Sequence, residues 1–268
     1  MQVGSPRGFT LPELLIGLVL LSMLGAILVR TGLAAERSTR LARAAAQLER
    51  SFDTALDFLD SELADVGTDP SATDFLRFGA DSVTWRATRG LGLACQISAA
   101  EVRVLDGQWS GSRLPQAGRD SLLLYAGTDS SRADSVTWIA LPVLGVSATN
   151  CGGAPALRLQ TSLDTTLVPP SRLPALVPVR VFEIMQARLY SSLGSWWFGA
   201  RSVSAGEAIQ PVAGPLAPGG LRFAYFDSVM QPAASAALVR AVSVVVLGSV
   251  AGRGDSAGAS WAPSNLVP

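Results

Sequence analysis

Few side chains in these 268 residues stand where chemistry is expected, and the first is a lone carboxylate: Glu13 is the only charge from Phe9 to Val29. An ionised carboxylate in hydrocarbon costs about 2.5–3.5 kcal/mol on insertion scales, so it is retained where a positive partner neutralises it. Elsewhere the chemical inventory is thin. Histidine is absent, which removes the commonest general base and metal ligand and every Ser/His/Asp or Cys/His arrangement. Lysine is absent as well, and no nucleophile–base pair is recognisable among the remaining Asp, Glu and Ser residues, so an enzyme is not expected. Cys95 and Cys151 cannot make a four-thiolate zinc site, and no His is present to complete a mixed one. The sequence therefore calls for no metal and no cofactor.

Other candidates read as structural. Arg253-Gly254-Asp255 matches an adhesion tripeptide but lies in what reads as a Gly/Ser-rich tail. Asp65, Asp69 and Asp74 lack the spacing of an oxygen-ligand calcium loop and read as turn formers and helix-end residues. Trp196 and Trp197 fit a hairpin with one indole in the core and one outside. Ala-Asp-Ser-Val-Thr-Trp occurs at Ala80–Trp85 and again at Ala133–Trp138, but the flanks differ, so no repeat is inferred. Lys plus Arg number 21 and Asp plus Glu number 21, so no net field draws in nucleic acid, and none is expected as a partner.

The element that must carry Glu13 is an apolar run. Leu14 to Val29 is uncharged, and the 21 residues from Phe9 to Val29 make a helix long enough to cross a hydrocarbon core about 30 Å thick. A secretory signal peptide cut within Gly32–Ala35 explains neither Glu13 nor the Gly8-Phe9 junction. A plain signal anchor leaves Glu13 unexplained too.

Gly8-Phe9-Thr10-Leu11-Pro12-Glu13 resembles the class A prepilin cleavage motif, in which a short basic leader ends in Gly and a Glu stands fifth in the mature chain. The resemblance implies cleavage by a prepilin peptidase between Gly8 and Phe9, N-methylation of Phe9, and a role for Glu13 in registering subunits against a neighbour's terminal amine. Pro12 replaces the usual Leu or Ile, and proline in a first helical turn forfeits no intrahelical hydrogen bond. The leader offers only Arg7, whereas Arg30, Arg37, Arg40 and Arg43 follow the run, so orientation rests on the motif rather than on flanking charge.

Beyond the run, Leu41, Ala45, Leu48, Phe52, Leu56, Leu59 and Leu63 recur at helical spacing. Gly67 and Pro70 then supply stop signals, so the spacing predicts one helix from about Thr10 to about Ala64. Its outer stripe needs a sheet to bury against. After Pro70 come β-branched and aromatic runs separated by turn residues. They predict strands at Ser82–Ala87, Glu101–Leu105, Ser121–Tyr125, Ser135–Leu141, Leu157–Thr161, Val177–Tyr190, Trp196–Ser202, Leu221–Phe226 and Leu238–Leu247. A five-residue turn, Ser191–Ser195, is expected to join two of them. The expected fold is α+β and pilin-like, a long N-terminal helix packed on an antiparallel sheet. Its boundaries are a leader at 1–8, a transmembrane half at 9–29, an amphipathic half at 30–66 and a β-rich head at 67–268.

Gly220–Asp227 followed by Val239–Leu247 is similar to the final strand pair of J-type pseudopilins and W-type minor pilins. The resemblance implies a minor pilin or pseudopilin near the tip of a type IV pilus or type II secretion pseudopilus, in the inner membrane with its head in the periplasm before assembly. Its partners would be the peptidase, the inner membrane and other pilins. The alternative is a membrane-anchored adhesin or DNA-binding module that borrows the anchor. In the periplasm Cys95 and Cys151 can pair, which would stabilise by about 4 kcal/mol through loop closure, or remain two buried thiols.

Overall fold

One helix dominates the first quarter of the chain in the computed structural model, which describes residues 10–67, 73–127, 136–164, 176–250 and 253–261. Helix α1 (Leu11–Leu63) is 53 residues long, about 80 Å at 1.5 Å per residue. Pro12 occupies its first turn. Leu48, Phe52, Ala55, Leu59 and Leu63 form its buried stripe. Leu41 and Ala45, expected in that stripe, are exposed, because the head begins to cover the helix only near Leu48.

The strands are β1 (Phe75–Gly79), β2 (Ser82–Ile97), β3 (Glu101–Leu105), β4 (Ser110–Gly111), β5 (Ser121–Gly127), β6 (Val136–Pro142), β7 (Gly145–Cys151) and β8 (Ala154–Gln160). They continue with β9 (Val177–Ser192), β10 (Ser195–Ser202), β11 (Gln210–Leu216), β12 (Leu221–Phe226), β13 (Ala241–Val250) and β14 (Arg253–Trp261). All the pairings among the described strands are antiparallel. The α+β architecture, a long helix on an antiparallel sheet, is as the sequence implies.

Two 16-residue strands, β2 and β9, pair along nearly their whole length and form the spine of an 11-stranded sheet. Each meets different neighbours at its two ends. On one half, β1 flanks β2 while β10 and β11 flank β9; on the other, β3, β8 and β7 extend from β2 while β5 and β6 extend from β9. The separate sheet β12-β13-β14 packs with α1 on the first half.

This branching gives the head two cores. The lower one joins Phe52, Leu59 and Leu63 of α1 to Trp85, Ala187, Leu189 and Phe198 of the sheet and to Phe223, Val242 and Val244 of the small sheet. Phe58 of α1 meets Phe198 edge-on, ring centroids 5.7 Å apart. The upper core gathers Val102, Val104, Leu122, Leu124, Val143, Leu159, Val177 and Val181 and includes no residue of α1. Only Val143 and Leu144 separate β6 from β7, which lie at opposite ends of this strand order, so the sheet curls around the upper core. Val143 donates to Asp120 O and accepts from Gly118 N, sealing the junction.

Several strand expectations need correction. The β9–β10 turn is the two residues Leu193-Gly194, both at positive φ (51° and 78°), because Ser191 and Ser192 continue the ladder opposite Trp196 and Ser195. Strand β2 runs on to Ile97 despite Gly90 and Gly92; a side chain at Gly90 would collide with the Trp109 indole that lies on it. Arg253-Gly254-Asp255 opens β14, where backbone pairing with β13 replaces the expected tail. Strands β1, β4, β7, β11 and β14 are additional.

The two Ala-Asp-Ser-Val-Thr-Trp copies serve different ends. Trp85 is fully buried in the lower core on β2, whereas Trp138 on β6 is partly exposed against Tyr125. Residues 133–135 lie outside the described residues.

Candidate assembly site

Gly8 and Phe9, the expected cleavage and methylation positions, lie outside the described residues. The described chain begins at Thr10, the N-cap of α1. Glu13 is the third helical residue, and its Oε2 accepts from both Thr10 N and Thr10 Oγ1 at 3.2 Å. This is a capping box: the carboxylate satisfies an orphan backbone donor at the helix start and favours the positive end of the helix dipole. Glu13 is exposed, as are Leu14, Leu15, Ile16, Leu18 and Leu20 around it. The first part of α1 is uncovered by the rest of the protein, and the helix is apolar and long enough to cross a membrane. Such a surface is stable only in lipid or against other helices.

Past this stretch α1 becomes a charged rod. Arg37, Arg43, Glu49, Asp53, Asp57 and Asp60 are exposed, and Arg40 pairs with Glu36 one turn away. The helix then enters the head and ends at a buried cluster of charges that the sequence reading missed.

That cluster centres on Glu183 of β9, which is 1% exposed. Alternation along β9 sends Val177, Val179 and Val181 into the upper core and Met185, Ala187 and Leu189 into the lower one. Glu183 falls between the two sets on the same face, so an ionic layer divides the cores. Arg89 Nε donates to Glu183 Oε2 at 2.9 Å while Arg89 Nη1 donates to Glu62, on the last turn of α1, at 3.1 Å. Arg113 Nη2 also reaches Glu183 Oε2, at 3.1 Å, and grips Asp120 with both terminal nitrogens at 2.5 and 2.6 Å. Arg119 Nε stands 2.6 Å from Glu183 Oε1 as an ion pair without an aligned hydrogen bond, and its Nη1 donates to Glu207.

Burial by itself pushes the Glu183 carboxyl up. Hydrogen bonds from Ser202 and Arg89 and the charges of Arg89 and Arg119 outweigh it, leaving the group below the usual carboxylate range. The signal for this cluster was present in the sequence as one acid in the inward register of an otherwise apolar strand, read there only as strand.

A second ionic contact fixes the chain just after α1. Asp74, fully buried, accepts from Gly67 N at 2.5 Å, and Arg180 Nη2 stands 2.7 Å from the same oxygen. Here burial dominates, and the Asp74 carboxyl stays above its usual value despite Arg180, Gly67 and Arg86. Asp74 is thus part of the internal framework rather than a turn former. Asp69 lies outside the described residues.

Cys95 of β2 and Cys151 of β7 form a disulfide with Cα atoms 6.4 Å apart. In strand order they are separated by β3 and β8, so the bridge fastens the curled end of the upper lobe. Among the described residues no three His, Cys, Asp or Glu side chains gather as a metal site.

Residues 5–29 match the family model described as the prokaryotic N-terminal methylation motif. No curated protein and no solved structure matches the chain. The matched segment contains Gly8, Phe9 and Glu13 and runs into the exposed apolar part of α1. The motif is of the prepilin-like kind, and the apolar helix that continues it fits a single-pass membrane anchor.

Proposed function

We propose that the chain is a minor pilin or pseudopilin, cut between Gly8 and Phe9, N-methylated at Phe9, and drawn from the inner membrane into a type IV pilus or type II secretion pseudopilus with its head on the periplasmic side. Residues 1–8 are the leader, 9–29 the span, 30–66 the helix outside the membrane and 67–268 the head. One observation carries this reading: the methylation motif at 5–29 is continuous with a helix whose first half is apolar and uncovered and whose second half is seated in a β-rich head. In the filament, Glu13 leaves its own capping contact for the terminal amine of the neighbouring subunit, which neutralises the carboxylate in an apolar bundle.

A place at the filament end is supported by the upper lobe. Its core includes no residue of α1, so this part of the head does not pack on the helix. The deciding test is the intact mass and N-terminal peptide of the membrane-extracted protein, expressed with and without a prepilin peptidase. A chain beginning at N-methylated Phe9 only with the peptidase present is the expected result; one still beginning at Met1 refutes the subunit reading. Immunogold labelling of sheared filaments tests the position: label confined to ends is expected, and label along the shaft removes the tip assignment.

A further inference from the structure

Facing away from α1, the lower half of the sheet presents a second surface. Met185, Ala187 and Leu189 of β9 point into the lower core, so Gln186, Arg188 and Tyr190 point the other way. Cross-strand register sets their neighbours. Arg77, Thr84, Gln186 and Arg201 form one row across β1, β2, β9 and β10; Gly79, Ser82, Arg188 and Gly199 form the next; Tyr190 pairs with Trp197 beyond them. Arg201 Nε donates to Gln186 Oε1 at 2.8 Å, as side chains on one face do.

Each aromatic ring lies over a glycine. A Cβ on Gly214 of β11 would come within 2.7 Å of Trp197 Cε3 and 3.2 Å of Cδ2, and one on Gly199 would collide with the Tyr190 ring. The missing side chains let both rings approach the backbone, and both residues are partly exposed. On the same face Arg188 stands one row from the rings, and Arg201 and Arg77 stand in the row beyond it. Among the described residues none of Arg77, Arg188 and Arg201 forms an ion pair. Asp81, exposed in the turn before β2, lies at the margin of this face.

We propose that this face binds an anionic polysaccharide, its pyranose rings stacked on Trp197 and Tyr190 and its carboxylates held by Arg188, Arg201 and Arg77. The occupant follows from charge and shape. Unpaired guanidinium groups select an anion and grip carboxylates through paired N–H donors. A sugar ring offers polarised C–H groups to the electron-rich face of an aromatic ring and needs only one such face. A single-stranded nucleic acid calls for a basic groove that tracks successive phosphates and for contacts to the base edges. Two rings over glycines with three flanking arginines on one sheet face answer the first description.

The test is titration calorimetry of the full-length chain in detergent with polygalacturonate oligomers. Saturable binding is expected, weakened about tenfold or more by Trp197→Ala and by Arg188→Gln and unchanged by Arg222→Gln on the separate small sheet. Dextran, the uncharged control, should bind at least about tenfold more weakly. Arg188 is exposed, so its variant remains informative even if Trp197→Ala fails to fold. Absence of saturable binding, or equal sensitivity to Arg222→Gln, overturns the proposal. Tighter binding of single-stranded oligothymidylate with the same variant pattern reassigns the face to nucleic acid and also overturns it. No filament is required, so either result stands apart from the subunit role.

Discussion

Arg89 Nε lies 2.9 Å from Glu183 Oε2, tying the two longest strands together at the level where α1 ends. Because Arg89 also holds Glu62, one guanidinium joins the helix to the spine of the sheet. Removing Glu183 would leave Arg89, Arg113 and Arg119 facing one another in a buried layer. Glu183→Ala should therefore cost about 3–5 kcal/mol, the range for breaking a buried charge network from one side. Urea unfolding of the detergent-solubilised protein measures it, and an unchanged midpoint would mean that the layer is not structural.

The same carboxylate sets an acid limb. Its folded pKa is below the usual value, so as pH falls the unfolded chain takes up the proton first. The stabilisation is complete above the ordinary glutamate range and is lost as pH drops through the folded value. Asp74 has the opposite sign: its folded pKa is raised, so its contribution favours acid and fades as pH rises through that value. Melting temperatures measured downward from about pH 5 should fall for the native chain and fall less for Glu183→Gln.

Reducing the Cys95–Cys151 bridge, or replacing both residues with Ser, should lower stability by about 4 kcal/mol for a loop closed over 56 residues. Hydrogen exchange localises the effect: β7 and β8 should lose protection before the strands that pack on α1.

Leu193 holds a positive φ of 51° in a two-residue hairpin turn and is fully exposed. Leucine there is strained without any burial in return, whereas Asn-Gly is the preferred pair for such a turn. Leu193→Asn should raise stability by about 1 kcal/mol, visible as a higher melting temperature.

Glu13 can be divided into its two roles by substitution. Gln retains the capping contact to Thr10 but not the charge, and Leu retains neither. Both variants should insert in the membrane, and both should fail to enter filaments if neutralisation by a neighbour's amine is what matters. Normal incorporation of Glu13→Gln would reduce the residue to a helix cap. Immunoblots of sheared filaments read this directly.

The long helix was legible because its apolar stripe and stop signals act locally, and Glu101–Leu105 and Leu221–Phe226 were legible to the residue because clean alternation filled them. Strand β11 was hidden by Pro211 and Pro215, which suit an edge strand and read as a breaker elsewhere. Strand β14 was hidden because its small polar residues gain order from pairing with β13, a tertiary effect that composition does not carry. Glu13 announced itself by being the lone charge in an apolar run. Glu183 did not, since nothing local tells a buried glutamate from an exposed one until Arg89, Arg113 and Arg119 arrive from distant segments.

The order of strands along the chain bears on how the head comes together. Everything from β3 to β8 is encoded between the two members of the central pair, so the rung Ala94–Val177 closes a long loop before it contributes. Non-local closure of this kind slows folding. The cysteines both lie within that loop or at its edge, and their union cuts the path to about a third. By loop-closure entropy this is worth about 1 kcal/mol to the encounter of β9 with β2. Oxidation that precedes the arrival of β9 therefore serves as a folding accelerator, and a chain emerging into a reducing compartment would assemble its spine late.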